Sequence, residues 1–273
     1  MTEIAKALTV AGTDPSGGAG IQADLKTFQE IGVYGMSVIT SVVSQNSLGV
    51  KSFVDLELDF VESQFDAVFE DIPPNAVKSG MLSNPNVMAL TARKLKEANV
   101  ANYVLDPVMI ASSGHALISE TAREKIAKEL LPLATVVTPN LPEAEALTNR
   151  EIKTIDDMKE AGRVLVEDYG VNAALIKGGH YEGEADDYLY DGQTFEKFSA
   201  ERFDTKHTHG SGCTYAAVIT AGLANGKPLY KAVKDGKAYI TAAISNPLNI
   251  GKGQGPTNHW GHRWSEVQPT TKV

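Results

Sequence analysis

The chain has 273 residues, 42% of them hydrophobic, and 34 acidic against 25 basic side chains give a formal net charge of -9. That length can bury one substantial core, and the acidic balance excludes a general electrostatic attraction for nucleic acid or anionic lipid. The opening MTEIAKALTVAGTDPSGGAG lacks the basic start and uninterrupted apolar stretch of a secretory signal, and no run approaches a membrane span, so a cytoplasmic protein with no membrane or nucleic-acid partner is expected.

Short runs rich in β-branched residues mark strands at 7–11, 37–43, 76–79, 103–105, 135–138 and 173–177. Between them Ile21, Leu25 and Phe28, then Val61, Phe65 and Val68, recur at helical spacing and give each helix one apolar stripe. The β-α-β-α order predicts an α/β fold with a mainly parallel sheet covered by helices. From Asp186 to Phe203 the alternation breaks, and Asp191-Gly192 reads as a hairpin turn. Two closing helices follow, the first from near Tyr215, and the glycine-rich stretch 251–255 is expected to end regular structure. No repeat, linker or boundary interrupts the chain, so residues 1–273 are expected to form a single domain.

Three groups of residues can carry chemistry. Gly12-Thr13-Asp14-Pro15-Ser16-Gly17-Gly18-Ala19-Gly20 lies between the first strand and the first helix. It reads either as a ligand-binding loop or as a structural tight turn. It lacks the Lys-Ser/Thr ending of a P-loop, and no acidic residue lies between Glu30 and Asp55 to complete a dinucleotide fingerprint. Asp24, one turn into the helix, either faces solvent or reaches a ligand over the loop.

The second group is His207-Thr208-His209-Gly210-Ser211-Gly212-Cys213-Thr214, just before an apolar helix. Two glycines around a serine at a helix start can converge backbone N–H groups on an anion. The helix end also favours a thiolate, which makes Cys213 a candidate proton acceptor; the alternative is a small buried filler. As the chain's single cysteine it forms no intrachain disulfide and no multi-cysteine zinc site. His207 and His209 have the wrong spacing and company for a metal pair, and His209 suits a lid or substrate contact better.

The third group sits at strand ends, where open α/β sheets place ligands. Asp106 closes one strand, and Asn140 and Glu143 follow another at a spacing that can hold hydrated magnesium through water or can simply cap a helix. Lys177, before Gly178-Gly179, is either a surface lysine or a contact for nucleotide phosphate.

Together these segments, with Ser44-Gln45-Asn46-Ser47 and Val77-Lys78-Ser79-Gly80-Met81-Leu82, resemble the hydroxymethylpyrimidine and phosphomethylpyrimidine kinases of thiamine biosynthesis, within the ribokinase-like superfamily. The resemblance covers residues 7 to about 259. It implies a three-layer sandwich around a mainly parallel sheet, a homodimer, and two successive phosphoryl transfers from ATP with Mg2+, first to 4-amino-5-hydroxymethyl-2-methylpyrimidine and then to its monophosphate. It also implies that Gln45 pairs with the pyrimidine edge and that Gly12, Asp24, Val43, Met81 and His209 surround the ring. Gly210, Ser211, Gly212 and Cys213 would form the anion hole and base. Asp106, Asn140, Glu143 and Lys177 would serve ATP, with Asp106 and Glu143 ordering magnesium through water. Ser44, Ser47 and Ser211 depart from the alanine and threonines usual at these places but keep small or hydroxyl chemistry. The rival on the same scaffold is a kinase of pyridoxine, pyridoxal and pyridoxamine.

Overall fold

The chain is described by a computed structural model over residues 3–109, 120–181 and 184–267. It opens with β1 (Lys6–Ala11), α1 (Gly20–Glu30), β2 (Tyr34–Ile39) and a ribbon of β3 (Ser41–Asn46) and β4 (Gly49–Asp55). Then come α2 (Leu58–Asp71), β5 (Ala76–Ser79), α3 (Pro85–Glu97), β6 (Tyr103–Leu105), α4 (Glu120–Lys125), β7 (Val136–Val137), α5 (Leu141–Thr148), α6 (Ile155–Glu167) and β8 (Ala174–Lys177). The last part holds the hairpin β9 (Asp187–Tyr190) and β10 (Phe195–Phe198), then α7 (Ser211–Ala224), α8 (Leu229–Ser245) and α9 (Gly261–Val267).

The main sheet has the order β10-β9-β8-β7-β6-β5-β1-β2. Its strands pair in parallel from β2 to β8, and the β8–β9 and β9–β10 pairs are antiparallel. Alternate residues of each strand serve opposite layers, as a pleat requires. Leu8, Val77, Leu105 and Val137 pack with Phe65, Met88, Leu130 and Leu165 on one side. Ala76, Val104, Val136 and Leu175 pack with Tyr215, Ile219, Val233 and Ile240 on the other. α7 is buried from Thr214 to Leu223, which explains why its sequence is apolar all round rather than striped. Small residues let neighbours approach it: Gly222 meets Ala232, and Gly236 meets the Tyr215 ring. The result is the expected helix-sheet-helix sandwich.

Two expectations need correction. The run 37–43 is not one strand: it breaks at the buried Thr40, whose N–H donates to Ala11 O (3.1 Å) and whose carbonyl accepts from Leu56 N (2.9 Å). Those bonds end β2 at the sheet edge and throw β3 and β4 over the carboxyl end of β1 as a separate ribbon. The glycine-rich stretch does not end regular structure either, because α9 follows it and is tied back by Arg263 Nε to Glu30 Oε2 at 2.7 Å. Among the described residues no helix is long and apolar enough to cross a membrane.

Candidate active site

The loop between β1 and α1 is built around Asp14, which is fully buried. Its carboxylate accepts from Ser16 N and Oγ (2.8 and 2.6 Å), Gly18 N (3.0 Å) and Ala19 N (2.7 Å), and His209 Nε2 lies 2.8 Å away. Burial alone would raise this acid, but His209 and Ser16 outweigh it and hold the carboxyl well below the usual range. An ionised Asp14 thus pins the loop and draws His209 onto it. His209 therefore sits at the cleft wall, while His207 is buried outside the cleft lining.

α7 begins earlier than its apolar stretch suggests, at Ser211, because Gly210 adopts φ +77° as its N-cap. A side chain at Gly210 would overlap the Gly18 carbonyl, so glycine here joins the opening loop directly to the helix start. Ser211 N–H is taken by Thr208 O at 3.1 Å. The nest therefore centres on the next two residues, Gly212 and Cys213, whose N–H groups lie in the first helical turn and beside the cleft.

The expectation that the helix end makes Cys213 acidic is overturned. Burial comes first and pushes the thiol up to about 12; Lys78 opposes it, while Asp106 and Asp24 add to it. Burial thus favours the protonated sulfur.

Behind the helix start runs a row of alternating charges along the carboxyl ends of the strands. Lys78 Nζ lies 3.0 Å from Asp24 Oδ2 and 4.0 Å from Asp106 Oδ2, and Lys177 Nζ lies 3.2 Å from Asp106 Oδ1. Burial opposes charge on Lys78, but the acidic groups around it, Asp24 foremost and Asp106 with it, together outweigh burial and hold the ammonium well above lysine's ordinary value. Lys177 is raised against burial in the same way by Asp106 and Glu143, and Asp106 is lowered against burial by Lys177 and Lys78.

This arrangement corrects the reading of Asp24. It neither faces solvent nor borders the cleft, but lies fully buried between Thr9 Oγ1 (2.6 Å) and Lys78. The residue that reaches the cleft from there is Lys78, which sequence reasoning left without a role. Its signal was a lysine inside Ala-Val-Lys-Ser, a strand buried on both faces where an unpaired charge is costly.

Asn140 and Glu143 form a reciprocal capping box at the start of α5: Glu143 N donates to Asn140 Oδ1 and Asn140 N to Glu143 Oε2, both at 2.9 Å. The cap is present, and both residues also line the cleft. Burial first, with help from Asp106 and against Lys177, pushes the Glu143 carboxyl up to about 7 from 4.5. A folded-state value above the unfolded one stabilises the fold at low pH and loses that benefit as pH rises from 4.5 through 7. Glu143→Gln keeps the cap acceptor and removes the titration. The parent's melting temperature is therefore expected to fall relative to the variant's across that window; parallel curves would refute the assignment.

The opposite wall is the ribbon. A register shift between Ser44 and Gln45 re-aims the strand, and Val43, Gln45, Val50 and Phe53 face the cleft across from Gly12 and Met81. Gly12 is tight as well, since a Cβ there would lie 2.6 Å from Met81 Cε. The cleft of about 410 Å³ is the size of a small-molecule site. Of the residues singled out from the sequence, Gly12, Val43, Gln45, Met81, Asp106, Asn140, Glu143, Lys177, His209, Gly210, Ser211, Gly212 and Cys213 all line it.

A mainly parallel sheet with a cleft over its carboxyl ends, closed by a ribbon and floored by a glycine-led helix start, places the chain in the ribokinase-like fold. The family model for phosphomethylpyrimidine kinase matches residues 14–258, and the chain belongs to that family. A hydroxymethylpyrimidine/phosphomethylpyrimidine kinase of Staphylococcus aureus (strain Mu50) is 46% identical over 258 residues, 94% of either chain. Phosphomethylpyrimidine kinase from Clostridium difficile 630 superposes with a TM-score of 0.79 at 46% identity, over 88% of this chain and 98% of its own. Bacillus subtilis pyridoxal kinase, solved as an ADP complex, superposes with a TM-score of 0.90 at 40% identity, over 96% of this chain and 99% of its own.

Proposed function

We propose that this chain is a cytoplasmic, homodimeric, single-domain kinase that uses ATP to phosphorylate the hydroxymethyl group of 4-amino-5-hydroxymethyl-2-methylpyrimidine, and then the monophosphate, supplying thiamine biosynthesis. One observation carries the reading. The Gly212–Cys213 turn lies in a single cleft between an amide-bearing wall at Gln45 and a lysine–carboxylate wall at Lys177, Asp106 and Glu143. The family's shared name supports the same substrate class.

In this reading the pyrimidine lies against Val43, Met81 and Gly12, and the Gln45 amide offers one donor and one acceptor to a ring edge carrying both. Lys177 holds phosphate of the nucleotide on the other side, and the N–H groups of Gly212 and Cys213 stabilise charge on the migrating phosphoryl group. Cys213 receives the alcohol's proton. Because its sulfur starts as a thiol, Cys213 first releases its own proton to solvent; that ionisation is the uphill part of the step, Lys78 and the first-turn N–H groups lower its cost, and the thiolate so formed then takes the proton of the attacking alcohol. Asp106 Oδ2, buried without a hydrogen-bond partner, fits a hard cation or its water, and Glu143 suits a water-mediated place beside it. Bound magnesium would supply charge neutralisation on the phosphates.

The test is phosphorus NMR of a mixture of the protein, ATP, magnesium and the pyrimidine alcohol. Monophosphate followed by diphosphate is expected; unchanged ATP would reject the reading. Gln45→Ala is expected to weaken binding of the alcohol by about 1 to 3 kcal/mol through unpaired polar groups, which titration calorimetry measures. The likeness to a pyridoxal kinase favours a second, slower activity on pyridoxal. Parallel ATP-consumption assays rank the two, and faster turnover of pyridoxal would reverse the order.

A further inference from the structure

The ribbon that carries Gln45 is short, two-stranded and paired only with itself, a form that is marginally stable without outside support. Its root is well held: Val43 N donates to Thr13 Oγ1 (3.0 Å) and Thr13 N to Ser41 O (3.0 Å). Its outer side is bare, with Val42 51%, Val54 68% and the tip residue Leu48 68% exposed. At the tip the Ser47 side chain reaches the rest of the molecule. Ser47 Oγ accepts from Lys252 N and Gly253 N, both at 3.1 Å, from more than 200 residues further along the chain.

The fit around that hydroxyl is close. A side chain at Gly253 would overlap the Ser47 carbonyl, and one at Gly251, which adopts φ +84°, would lie 2.7 Å from Ser47 Oγ. Glycines at these two positions are what let the tip and the 251–255 loop meet backbone to hydroxyl. The loop then continues into the site: Gln254 lines the cleft, His209 N donates to Gly255 O (3.1 Å), and Thr257 N donates to His209 O (3.0 Å). His209 in turn is held by Asp14. Ribbon tip, glycine loop, His209 and opening loop thus form a closed belt around the Gln45 side of the cleft.

We propose that Ser47 is the latch of this belt: its hydroxyl clamps the ribbon tip to the Lys252–Gly253 backbone and so keeps Gln45 in the cleft wall, making Ser47 a positioning residue for the acceptor substrate. Release of two hydrogen bonds frees the tip while the root stays anchored, which provides an entry route for a molecule enclosed by the belt. The kinetic consequence rests on the functional reading above; the structural one does not.

Hydrogen–deuterium exchange separates the two. In Ser47→Ala the amides of residues 44–53 are expected to exchange about tenfold faster, since two bonds of ordinary strength no longer oppose local opening, while β1 and α7 keep the parent rates. Ser47→Thr, which keeps the hydroxyl, is expected to retain the parent pattern, and Gly253→Ala to open the tip with the hydroxyl still present. In assays with the pyrimidine alcohol, Ser47→Ala is expected to raise KM for the alcohol about fivefold or more, with kcat within about twofold, because binding rather than transfer is touched. Parent-like exchange of 44–53 in Ser47→Ala overturns the latch. Faster exchange with an unchanged KM overturns its role in holding the acceptor. If the parent proves inactive on the alcohol, the fault lies with the functional reading, and the exchange data still decide whether Ser47 clamps the ribbon.

Discussion

Lys78→Met is expected to cost about 3 to 5 kcal/mol of stability, the usual scale for breaking a buried ion pair from one side. The cost arises because Asp24, fully buried 3.0 Å from the ammonium, and Asp106, 4.0 Å away, lose their shared counter-ion; burial already raises the Asp24 carboxyl, so without Lys78 it must either stand as an uncompensated buried charge or take up a proton. Asp106 retains Lys177 at 3.2 Å, whereas Asp24 is left with the Thr9 hydroxyl at 2.6 Å among the described residues. Urea unfolding of the parent, Lys78→Met and the double variant Lys78→Met/Asp24→Asn measures this. The double variant is expected to be more stable than Lys78→Met alone, because it removes the stranded carboxylate along with the cation. A single-variant loss below about 1 kcal/mol, the level of an exposed pair, would show that Lys78 is not the buried counter-ion described here.

The second large effect is on chemistry. Cys213→Ala is expected to lower phosphoryl transfer by about a hundredfold or more while leaving binding of the pyrimidine alcohol near the parent value, the pattern for loss of a general base. Equal rates in variant and parent would remove Cys213 from the reaction. Cys213→Asp supplies a carboxylate at the same helix start and is expected to recover part of the lost rate. The parent's thiol stands at about 12, so its rate is expected to climb with pH between 7 and 9, following the fraction of thiolate, whereas the aspartate variant should be flatter there.

The sheet was legible because a parallel strand buried on both faces reads as an unbroken apolar run, and β5, β6 and β8 stand within a residue of their expected bounds. The turn at Thr40 left no such mark. Val38, Ile39 and Thr40 before the bend and Val42 and Val43 after it are all β-branched, and what divides β2 from β3 is a pair of bonds to Ala11 and Leu56, which are remote in sequence. The cleft-lining residues were legible as motifs at strand ends and at a helix start, where topology gathers ligands. What lay beneath them was not. Asp24 and Lys78 are 54 residues apart and meet because α1 packs on β1 while β5 pairs beside β1 in the sheet. Asp14 was visible as a loop residue, but its hold on His209 spans 195 positions. Local reasoning also gave Cys213 the wrong acidity. The helix start acts over one turn, whereas burial and two neighbouring carboxylates act through space.

The protonated state of Cys213 also governs its chemical durability. The thiolate is the form that attacks peroxide and alkylating agents, so a thiol pushed up to about 12 is expected to react slowly at neutral pH although it borders an accessible cleft. No second cysteine exists in the chain to cap an oxidised sulfur as an intrachain disulfide. Reluctance to oxidise is therefore this sulfur's intrinsic safeguard against irreversible damage.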